Sequence, residues 1–480
     1  MQWHPGVRRT MEKKKKIVVA GLVGLTCASL AGGYCGIAAY YNTRFFPGTK
    51  INGMDFGRQE LPAVGTTMRL QSSTYELEVF GRDLKSCESD ELLLTITAGD
   101  IGLADVGVDE ALHELLGQQN EWLWIQTLTG REYAYDMEQE VSFDEEKLKS
   151  ILRECDWFQR KNMTEPQNAY IGGYSDEDKG FVIVADTRGS RLNTDKAREA
   201  IEEAILHKEA SVDLEEQGCY RTARVLADDE KLLDNLNEAN LWLSTEITYD
   251  WNGNEVMLNR EQLKDWVSIV KDRPVLDKDA VAAFVKENAK EYDTYGKKRK
   301  FVTTMGTEVS LNSGAYGWRT DRSAETEELT QMIYQGSVLQ KEPIYSMRAA
   351  QKGSNDIGNS YVEADLTHQH LYLYSNGKIV VESDFVSGNV SNGNTTPPGV
   401  FGLTYKTMDA VLRGDNYETP VKYWMPFNGN IGMHDATWRS SFGGDIYLTS
   451  GSHGCINLPY NKAKEIYQYV STGFPVICYY

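Results

Sequence analysis

The sequence predicts three regions: an N-terminal transmembrane helix, a region of α+β repeats and a C-terminal, mainly-β domain. Three patterns support this fold class: an uncharged stretch at residues 17–41, two similar strand–helix segments between residues 65 and 345, and alternating apolar and polar residues after residue 358. A chain of 480 residues is too long for one compact core, so we expect two or three folded domains.

The first region is predicted to anchor the chain in a membrane. Residues 17–41 carry no charge and are long enough to cross the hydrocarbon core of a bilayer as a helix. Residues 1–16 form a basic tail of the kind found on the cytoplasmic side. A cleaved signal peptide would have a shorter apolar core followed by a small-residue cleavage site, and neither is evident. We therefore expect a single-pass protein of the cell membrane, with a cytoplasmic N-terminus and an extracytoplasmic body.

The body that follows the anchor is strongly acidic. The formal net charge of the whole chain is −20 although its N-terminal tail is basic. Such a surface argues against nucleic acid and anionic lipid as partners. Within the anchor, the small residues Ala28, Gly32 and Gly36 lie four apart and could pair two helices, which would give a weak anchor-mediated dimer.

The middle region contains two segments that follow one plan. In the first, a strand leads to Gly189, a helix, a short strand and Tyr220; in the second, the same order surrounds Gly317 and Tyr345. We interpret this as a diverged internal duplication. The alternative is that two ordinary α+β segments share a common order by chance.

Turn-forming residues mark the borders of these regions. Residues 42–64 are predicted to be a turn-rich connector, residues 65–345 the repeats, and residues 346–357 a polar, glycine-containing linker. The mainly-β domain then occupies residues 358–480, with a hairpin turn at Asn376–Gly377.

A thiol and two imidazoles lie close together near the C-terminus, in the sequence Ser452-His453-Gly454-Cys455 preceded by His434. A thiol becomes a strong nucleophile only when it is ionised, and a nearby imidazole can take its proton. A zinc site would lack the short-spaced ligand pairs usual for that metal, and an inert buried cysteine is not expected among such residues. We therefore predict a nucleophile with its base, and no metal or other cofactor.

Each candidate residue has a predicted role. Adjacent side chains on an extended chain point to opposite faces, so His434 is better placed than His453 to face the sulfur. The catalytic candidates are Cys455, His434 and His453; Ser452, Gly454 and Asn457 are candidates for shaping the motif or holding an oxyanion. The aromatic residues Tyr423, Trp424 and Trp438 could line a substrate pocket or belong to the core.

This motif resembles the catalytic domain of the L,D-transpeptidases. The family pattern is a histidine, a spacer, and then Ser/Thr-His-Gly-Cys-hydrophobic-Asn, and every fixed position is matched from His434 to Asn457. "TTPPGVF" also resembles the usual turn of this domain, whereas "MHDATW" departs from relatives that have Gly-Thr after the histidine. Residues 65–345 more loosely resemble the paired peptidoglycan-binding domains of membrane-anchored cell-wall proteins. The alternative, that this region is only a spacer between the membrane and the last domain, remains open.

The resemblance implies a reaction and its partners. Cys455 would form a thioester with a donor peptidoglycan stem peptide and expel its terminal D-residue, and an amine of an acceptor stem would resolve the thioester into a 3→3 cross-link. Two alternatives remain open at this point. Water could resolve the thioester, which would make the chain an L,D-carboxypeptidase, or the chain could be a non-catalytic wall-binding protein.

Overall fold

The computed structural model describes residues 6–138, 140–311, 314–414 and 417–480. The chain divides into two compact units. The first contains the chain up to Ala169 together with Ala185–Leu226, and the second contains Tyr170–Val184 together with Ala227–Tyr480. Each unit is described by itself below.

The predicted anchor is a helix, α1, which extends from Gly6 to Tyr41. Its segment Lys15–Tyr41 is long and apolar enough to cross a membrane, judged by length and composition. The C-terminal end of α1 is packed into the first unit, because Ala38 is 1% exposed and the Gln119 side-chain amide donates to the Tyr41 carbonyl at 3.1 Å. The helix therefore continues into folded structure without a loose segment.

The elements up to residue 226 alternate between short strands and helices. They are β1 Thr49–Ile51, β2 Met54–Asp55, α2 Leu61–Ser73, β3 Glu76–Gly81, β4 Glu91–Thr97, α3 Ala98–Ile101, β5 Ala104–Val106, α4 Val108–Gly117, β6 Tyr133–Tyr135, β7 Glu140–Ser142, α5 Glu145–Glu154, β8 Tyr170–Ser175, β9 Gly180–Val184, α6 Thr194–Leu206 and β10 Ser211–Asp213. Short 3₁₀ helices occupy Glu121–Thr129, Asp156–Phe158 and Arg160–Asn162. Of these elements, β8 and β9 belong to the second unit.

The segment predicted as a connector, residues 42–64, contributes to a hydrophobic core. It contains β1, β2 and the start of α2, and its Phe45, Ile51 and Phe56 side chains are at most 2% exposed. These side chains cluster with others from α2 and α4. The turns seen in the sequence are present, but the apolar residues between them are buried.

The remaining elements form the second repeat and the C-terminal domain. They are α7 Glu230–Leu243, β11 Glu246–Trp251, β12 Asn254–Leu258, α8 Arg260–Trp266, β13 Val267–Val270, β14 Arg273–Leu276, α9 Lys278–Tyr292, β15 Arg299–Val302, β16 Glu308–Leu311, β17 Arg319–Thr320, α10 Arg322–Tyr334, β18 Val338–Lys341, β19 Tyr345–Met347, β20 Tyr361–Asp365, β21 His370–Ser375, β22 Lys378–Asp384, β23 Gly399–Gly402, β24 Thr407–Gly414, β25 Tyr417–Asn428, β26 Ile431–Asp435, α11 Ile446–Ser450, β27 Ile456–Leu458, α12 Tyr460–Tyr469 and β28 Pro475–Tyr479.

The two repeats share contacts as well as element order. In the first, β3 pairs in parallel with β10, and the Tyr220 hydroxyl accepts a hydrogen bond from the Arg82 N–H at 2.8 Å. In the second, β11 pairs in parallel with β18, and the Tyr345 hydroxyl accepts from the Asn252 N–H at 2.9 Å. These equivalent bonds support the predicted duplication.

One hairpin differs between the repeats. The strands β13 and β14 are joined by a tight turn at Lys271 and Asp272, both with positive φ. The corresponding strands β5 and β7 enclose the chain from Gly107 onward, which includes α4, the 3₁₀ helix Glu121–Thr129 and β6. The first repeat therefore carries an insertion, and we refer to Gly107–Glu138 by that word below.

The C-terminal domain is built on two sheets, in agreement with the predicted mainly-β class. One has the strand order β22-β21-β20-β28-β23 and the other β24-β25-β26-β27. A single hydrophobic core contains buried side chains from both sheets and from α12. The predicted alternation on β21 is observed, because Leu371 and Leu373 are fully buried in this core.

The second repeat is joined to the C-terminal domain by buried polar contacts. The Glu363 carboxylate on β20 is 0% exposed and accepts from the Thr304 N–H at 2.8 Å, the Thr304 hydroxyl at 2.7 Å and the Tyr479 hydroxyl at 2.7 Å. Beside them, Phe301 of β15 packs against the Tyr361 and Tyr479 rings. The turn of the β15–β16 hairpin thus closes one side of the C-terminal sheet.

The segment predicted as a polar linker, residues 346–357, is also packed. Asp356 is 1% exposed and accepts from the Arg299 guanidinium at 2.7 and 2.9 Å and from the Thr294 hydroxyl at 2.5 Å. Its carbonyl accepts from the Tyr316 hydroxyl at 2.9 Å. A buried charge needs such partners, which is why this polar segment is held against the second repeat.

The buried pair gives a stability prediction. We expect Asp356→Ala to lower the free energy of unfolding of the second unit by ~3–5 kcal/mol, because it leaves the Arg299 guanidinium buried without its counter-charge. Lys300→Ala is the matched control on the same hairpin. It removes a pair with Glu308 in which both side chains are more than half exposed, so we expect a loss below ~1 kcal/mol. Urea unfolding followed by fluorescence measures both values, and similar losses in the two variants would contradict this account of the joint.

Candidate active site

The register of two strands brings the predicted catalytic residues together. The strands β26 and β27 are parallel, with His434 opposite Asn457 and Met433 opposite Ile456. Side chains alternate along a strand, so Cys455 lies on the same face as Asn457 and therefore on the same face as His434. The two residues reach one site although twenty others separate them in the sequence.

His434 is held in one tautomer. Its side chain is 3% exposed, and its Nδ1 lies 2.9 Å from the Asp435 carbonyl oxygen. Because a carbonyl oxygen can only accept, Nδ1 carries the hydrogen of the neutral ring and the lone pair is on Nε2. Burial lowers the pKa of His434, and the bond to the Asp435 carbonyl opposes part of that shift. The imidazole is therefore neutral at rest and able to accept a proton.

The Cys455 thiol is also neutral at rest. Its Sγ lies 3.6 Å from the Asn430 carbonyl oxygen, to which the S–H donates weakly. Burial raises the pKa of Cys455 to about 11, against a smaller opposite effect of the Gly432 backbone. Burial thus favours the uncharged form of both the Cys455 thiol and the His434 imidazole.

Both residues line a cavity of about 410 Å³. Its wall includes the motif residues and part of the β24–β25 hairpin: Leu412, Glu418, Thr419, Pro420, His434, Trp438, Arg439, Gly451, Ser452, His453, Cys455 and Asn457. His453 is exposed at this wall, whereas His434 is buried. Of the two histidines, the structure gives His434 the position expected of a base.

The motif is shaped by Ser452 and Gly454. The Ser452 hydroxyl donates to the Cys455 carbonyl at 2.6 Å and accepts from the Gly454 N–H at 3.1 Å. Gly454 has a φ of +122°, where a side chain is strained, and a Cβ there would lie 3.0 Å from Ile431. Because its N–H is already bonded to Ser452, Gly454 contributes backbone conformation rather than a free oxyanion donor.

Sequence reasoning missed Thr396, which holds the motif in place through the Gly454 backbone. This residue is 0% exposed; its hydroxyl accepts from the Gly388 N–H at 3.0 Å and donates to the Gly454 carbonyl at 2.7 Å. Thr396 lies in the turn "TTPPGVF", but its neighbours in the sequence do not indicate the distant bond to Gly454.

The three aromatic candidates occupy different places. Trp424 is paired with His434 in the β25–β26 register, and its ring centroid lies 5.8 Å from the imidazole, outside the cavity wall. Trp438 lines the cavity, is 51% exposed and lies 5.9 Å from the same ring. Of the two places open to Tyr423, the structure shows the core: it packs beside Tyr460 and Tyr467, because its neighbour Trp424 takes the other face of the strand.

Two polar groups at the cavity have unsatisfied atoms. The Arg439 Nε is buried without a hydrogen-bond partner, and Arg439 forms no ion pair with any residue that the structure describes. Burial lowers the pKa of this guanidinium. The Asn457 Oδ1 is likewise buried without a partner in the described part of the chain. A cation and an amide in this state are suited to bind a polar ligand.

A metal centre has no support in the described ranges, where no group of three or more His, Cys, Asp or Glu side chains could hold a metal ion.

Comparison with known proteins agrees with this geometry. Residues 359–478 match the family model of the L,D-transpeptidase catalytic domain, and residues 94–213 and 229–338 each match that of a peptidoglycan-binding domain. A cysteine-to-serine mutant of the Enterococcus faecium L,D-transpeptidase is 34% identical, over 51% of this chain and 100% of that one, with a TM-score of 0.43.

The chain belongs to the L,D-transpeptidase family. A second solved structure, the E. faecium catalytic domain acylated by ertapenem, is 42% identical over 25% of this chain and 97% of that one, with a TM-score of 0.24. No curated protein matches the chain. The family assignment confirms the predicted resemblance, and the two separate matches to one family model support the predicted duplication of the middle region.

The role of Thr396 can be tested by removing its hydroxyl at nearly constant shape. We expect Thr396→Val to cost ~1–3 kcal/mol of stability, because the Gly388 N–H and the Gly454 carbonyl lose their partner in a buried place. Cross-linking activity should fall as well, since the motif is no longer fixed. The adjacent Thr395→Val is the control, because Thr395 is exposed. Thermal unfolding and turnover measure both effects, and equal behaviour of the two variants would contradict the role assigned to Thr396.

Proposed function

We propose that this chain is a membrane-anchored, extracytoplasmic L,D-transpeptidase that forms 3→3 peptidoglycan cross-links through a thioester on Cys455. The observation that carries the proposal is the shared face of β26 and β27, on which a thiol and a neutral imidazole with its lone pair on Nε2 line one cavity. The wall-binding matches and the apolar N-terminal helix support the location.

The first half of the reaction breaks the donor peptide. The Cys455 sulfur attacks the carbonyl carbon of the third stem residue while its proton passes to Nε2 of His434. The tetrahedral intermediate collapses, the C–N bond breaks, and the imidazolium returns the proton to the amine of the leaving D-residue. Because thiol and imidazole are both neutral at rest, the thiolate forms during attack and not before it.

The second half joins the acceptor. The side-chain amine of a second stem attacks the thioester carbonyl, its proton passes to His434, and the thiolate leaves and is reprotonated. Trp438 lies half exposed at the cavity and could shield the thioester from water on one side. Two binding repeats on the same chain would raise the local concentration of acceptor stems. Both features favour the amine over water, and therefore the transpeptidase over the L,D-carboxypeptidase.

The nucleophile gives a direct test. We expect Cys455→Ala to abolish cross-linking while the fold persists, because Cys455 provides the reacting atom and little of the core. The assay incubates the protein with disaccharide-tetrapeptide and follows products by mass spectrometry. A dimer lighter than two substrates by one D-alanine supports the proposal. Tripeptide alone, at acceptor concentrations near those of a wall, would favour the carboxypeptidase, and cross-linking by the variant would reject Cys455.

The two histidines should respond differently. Acylation of Cys455 by a carbapenem requires neutral His434. The pKa of His434 is lowered, so the neutral form persists to more acidic pH. We therefore expect the acylation rate to fall only below the ordinary histidine pKa of about 6.5. We expect His434→Ala to slow acylation by at least ~100-fold and His453→Ala by less than ~10-fold. Intact mass against time and pH measures the adduct. A pH profile that changes only in His453→Ala would reject His434 as the base.

Arg439 is proposed to bind the terminal carboxylate of the donor peptide, since it is a cation at the cavity without a counter-charge in the described chain. Losing one charged hydrogen bond costs ~1.5–3 kcal/mol, so we expect Arg439→Gln to lower kcat/KM by ~10–100-fold. The control is a donor whose terminal carboxyl is amidated. With this donor, kcat/KM of the wild type should fall by a similar factor. For Arg439→Gln, kcat/KM should be nearly the same with the amidated donor as with the free acid. A variant that keeps the full preference for the free acid would contradict this role.

A further inference from the structure

The insertion in the first repeat exposes an uncharged, apolar surface. Between Glu121 and Arg131 the chain carries no charge. Within this stretch Trp122 is 49% exposed, Leu123 44%, Ile125 51% and Leu128 74%. We call residues 122–130 the apolar platform. Exposed large apolar side chains that adjoin one another in this way mark a surface that meets a partner or a membrane.

The apolar platform lies against the N-terminal helix. The Tyr34 ring of α1 stacks on Trp122 with centroids 6.3 Å apart and lies 5.4 Å from the Trp124 ring. The Tyr34 hydroxyl also donates to the Trp122 carbonyl. Tyr34 belongs to the apolar span Lys15–Tyr41, so the platform is continuous with the surface that a lipid bilayer would cover.

The length of the helix places this contact at a particular depth. About 20 helical residues cross the ~30 Å hydrocarbon core, so a span that begins at Ile17 would leave the core near Gly36. Tyr34 would then lie close to the outer boundary, together with the two tryptophans. Trp and Tyr are enriched at that boundary, because their rings are amphipathic.

The rest of the insertion holds the apolar platform in place. Its strand β6 pairs with β1, with Thr49 opposite Tyr133, and its helix α4 shares a hydrophobic core with α2. The second repeat, which joins the equivalent strands at Lys271 and Asp272, has no counterpart of this insertion. The platform is therefore a fixed feature of the repeat that adjoins α1.

We propose that the apolar platform inserts into the outer interface of the membrane that α1 crosses, so that lipid is its partner. The proposal rests on the proposed anchoring by α1. The docking is apolar, which agrees with an acidic body that would not be attracted to anionic lipid. It would fix the orientation of the first repeat on the membrane at two places, the helix and the platform.

The proposal can be tested with the full chain in phosphatidylcholine vesicles. Brominated acyl chains in these vesicles quench the fluorescence of tryptophans that enter the membrane. All variants carry Trp3→Phe, so that the N-terminal tail gives no signal. We expect Trp122→Phe with Trp124→Phe to remove most of the lipid-dependent quenching of tryptophan fluorescence. Trp438→Phe is the matched control, because Trp438 is as exposed as Trp122 but lies in the catalytic domain. Adding Leu128→Trp to the double variant should restore quenching and shows that the fold has survived.

Each outcome decides between the anchor and the docking. If the double variant keeps its quenching and the protein stays in the membrane after an alkaline carbonate wash, the docking is overturned and the anchor is retained. Release of the chain by alkaline carbonate would reject the anchor and the docking with it. Neither result would affect the chemistry proposed for Cys455, which the cross-linking assay tests separately.

Discussion

The parallel pairing of β26 with β27 brings His434 and Cys455 to one cavity, and neighbouring backbone segments hold this pairing in place. A parallel pair needs a crossover, here the chain from Ala436 to Cys455 that includes α11. The crossover is held by a third segment, because Val386 bridges to Asn457 and Gly388 bridges to Ser452. A Cβ on Gly388 would lie 1.8 Å from the Asn394 carbonyl oxygen and 2.9 Å from the Gly454 Cα, so these backbones touch directly. The geometry of the thiol therefore depends on close contact among three separate backbone segments.

Burial determines the resting chemistry of this site. It raises the pKa of Cys455 and lowers that of His434, and both shifts favour the uncharged forms. A neutral thiol is oxidised less readily than a thiolate, so burial also protects Cys455 from oxidation. As a consequence, the charges on the sulfur and on the imidazole must be generated when substrate binds. The polar groups left unsatisfied at the cavity, on Arg439 and Asn457, are available to stabilise charge at that moment.

Local sequence patterns were sufficient to predict the parts of the fold that depend on contacts between residues close in the sequence. The helix α6 begins after Asn193, whose side chain accepts from the Lys196 N–H, and it buries Ala197 and Ile201 as its spacing predicts. In the same way, α12 buries Ala463 and Ile466, which lie three residues apart on one face of the helix. The motif around Cys455 was also recognisable, because Ser452, His453, Gly454 and Cys455 are consecutive in the sequence.

Contacts between distant segments were not predictable in this way. Thr396 holds Gly454 from 58 residues away, and nothing in its own neighbourhood indicates that bond. Arg439 was missed because an unpaired cation is recognisable only when its surroundings are known. The polar composition of residues 346–357 predicted a linker, yet polarity alone cannot distinguish a solvated Asp356 from one paired with Arg299.

The joint between the second repeat and the catalytic domain has a mechanical consequence. In the function proposed above, the second repeat binds the cell wall, so a load on the wall would pull on that repeat. Because Asp356 is paired with Arg299 and Glu363 is bonded to Thr304, that load would pass through short buried contacts into β20, the central strand of the five-stranded sheet of the C-terminal domain. A slack tether would absorb the pull before it reached the enzyme. Strain in the wall would therefore reach the five-stranded sheet of the domain that carries Cys455.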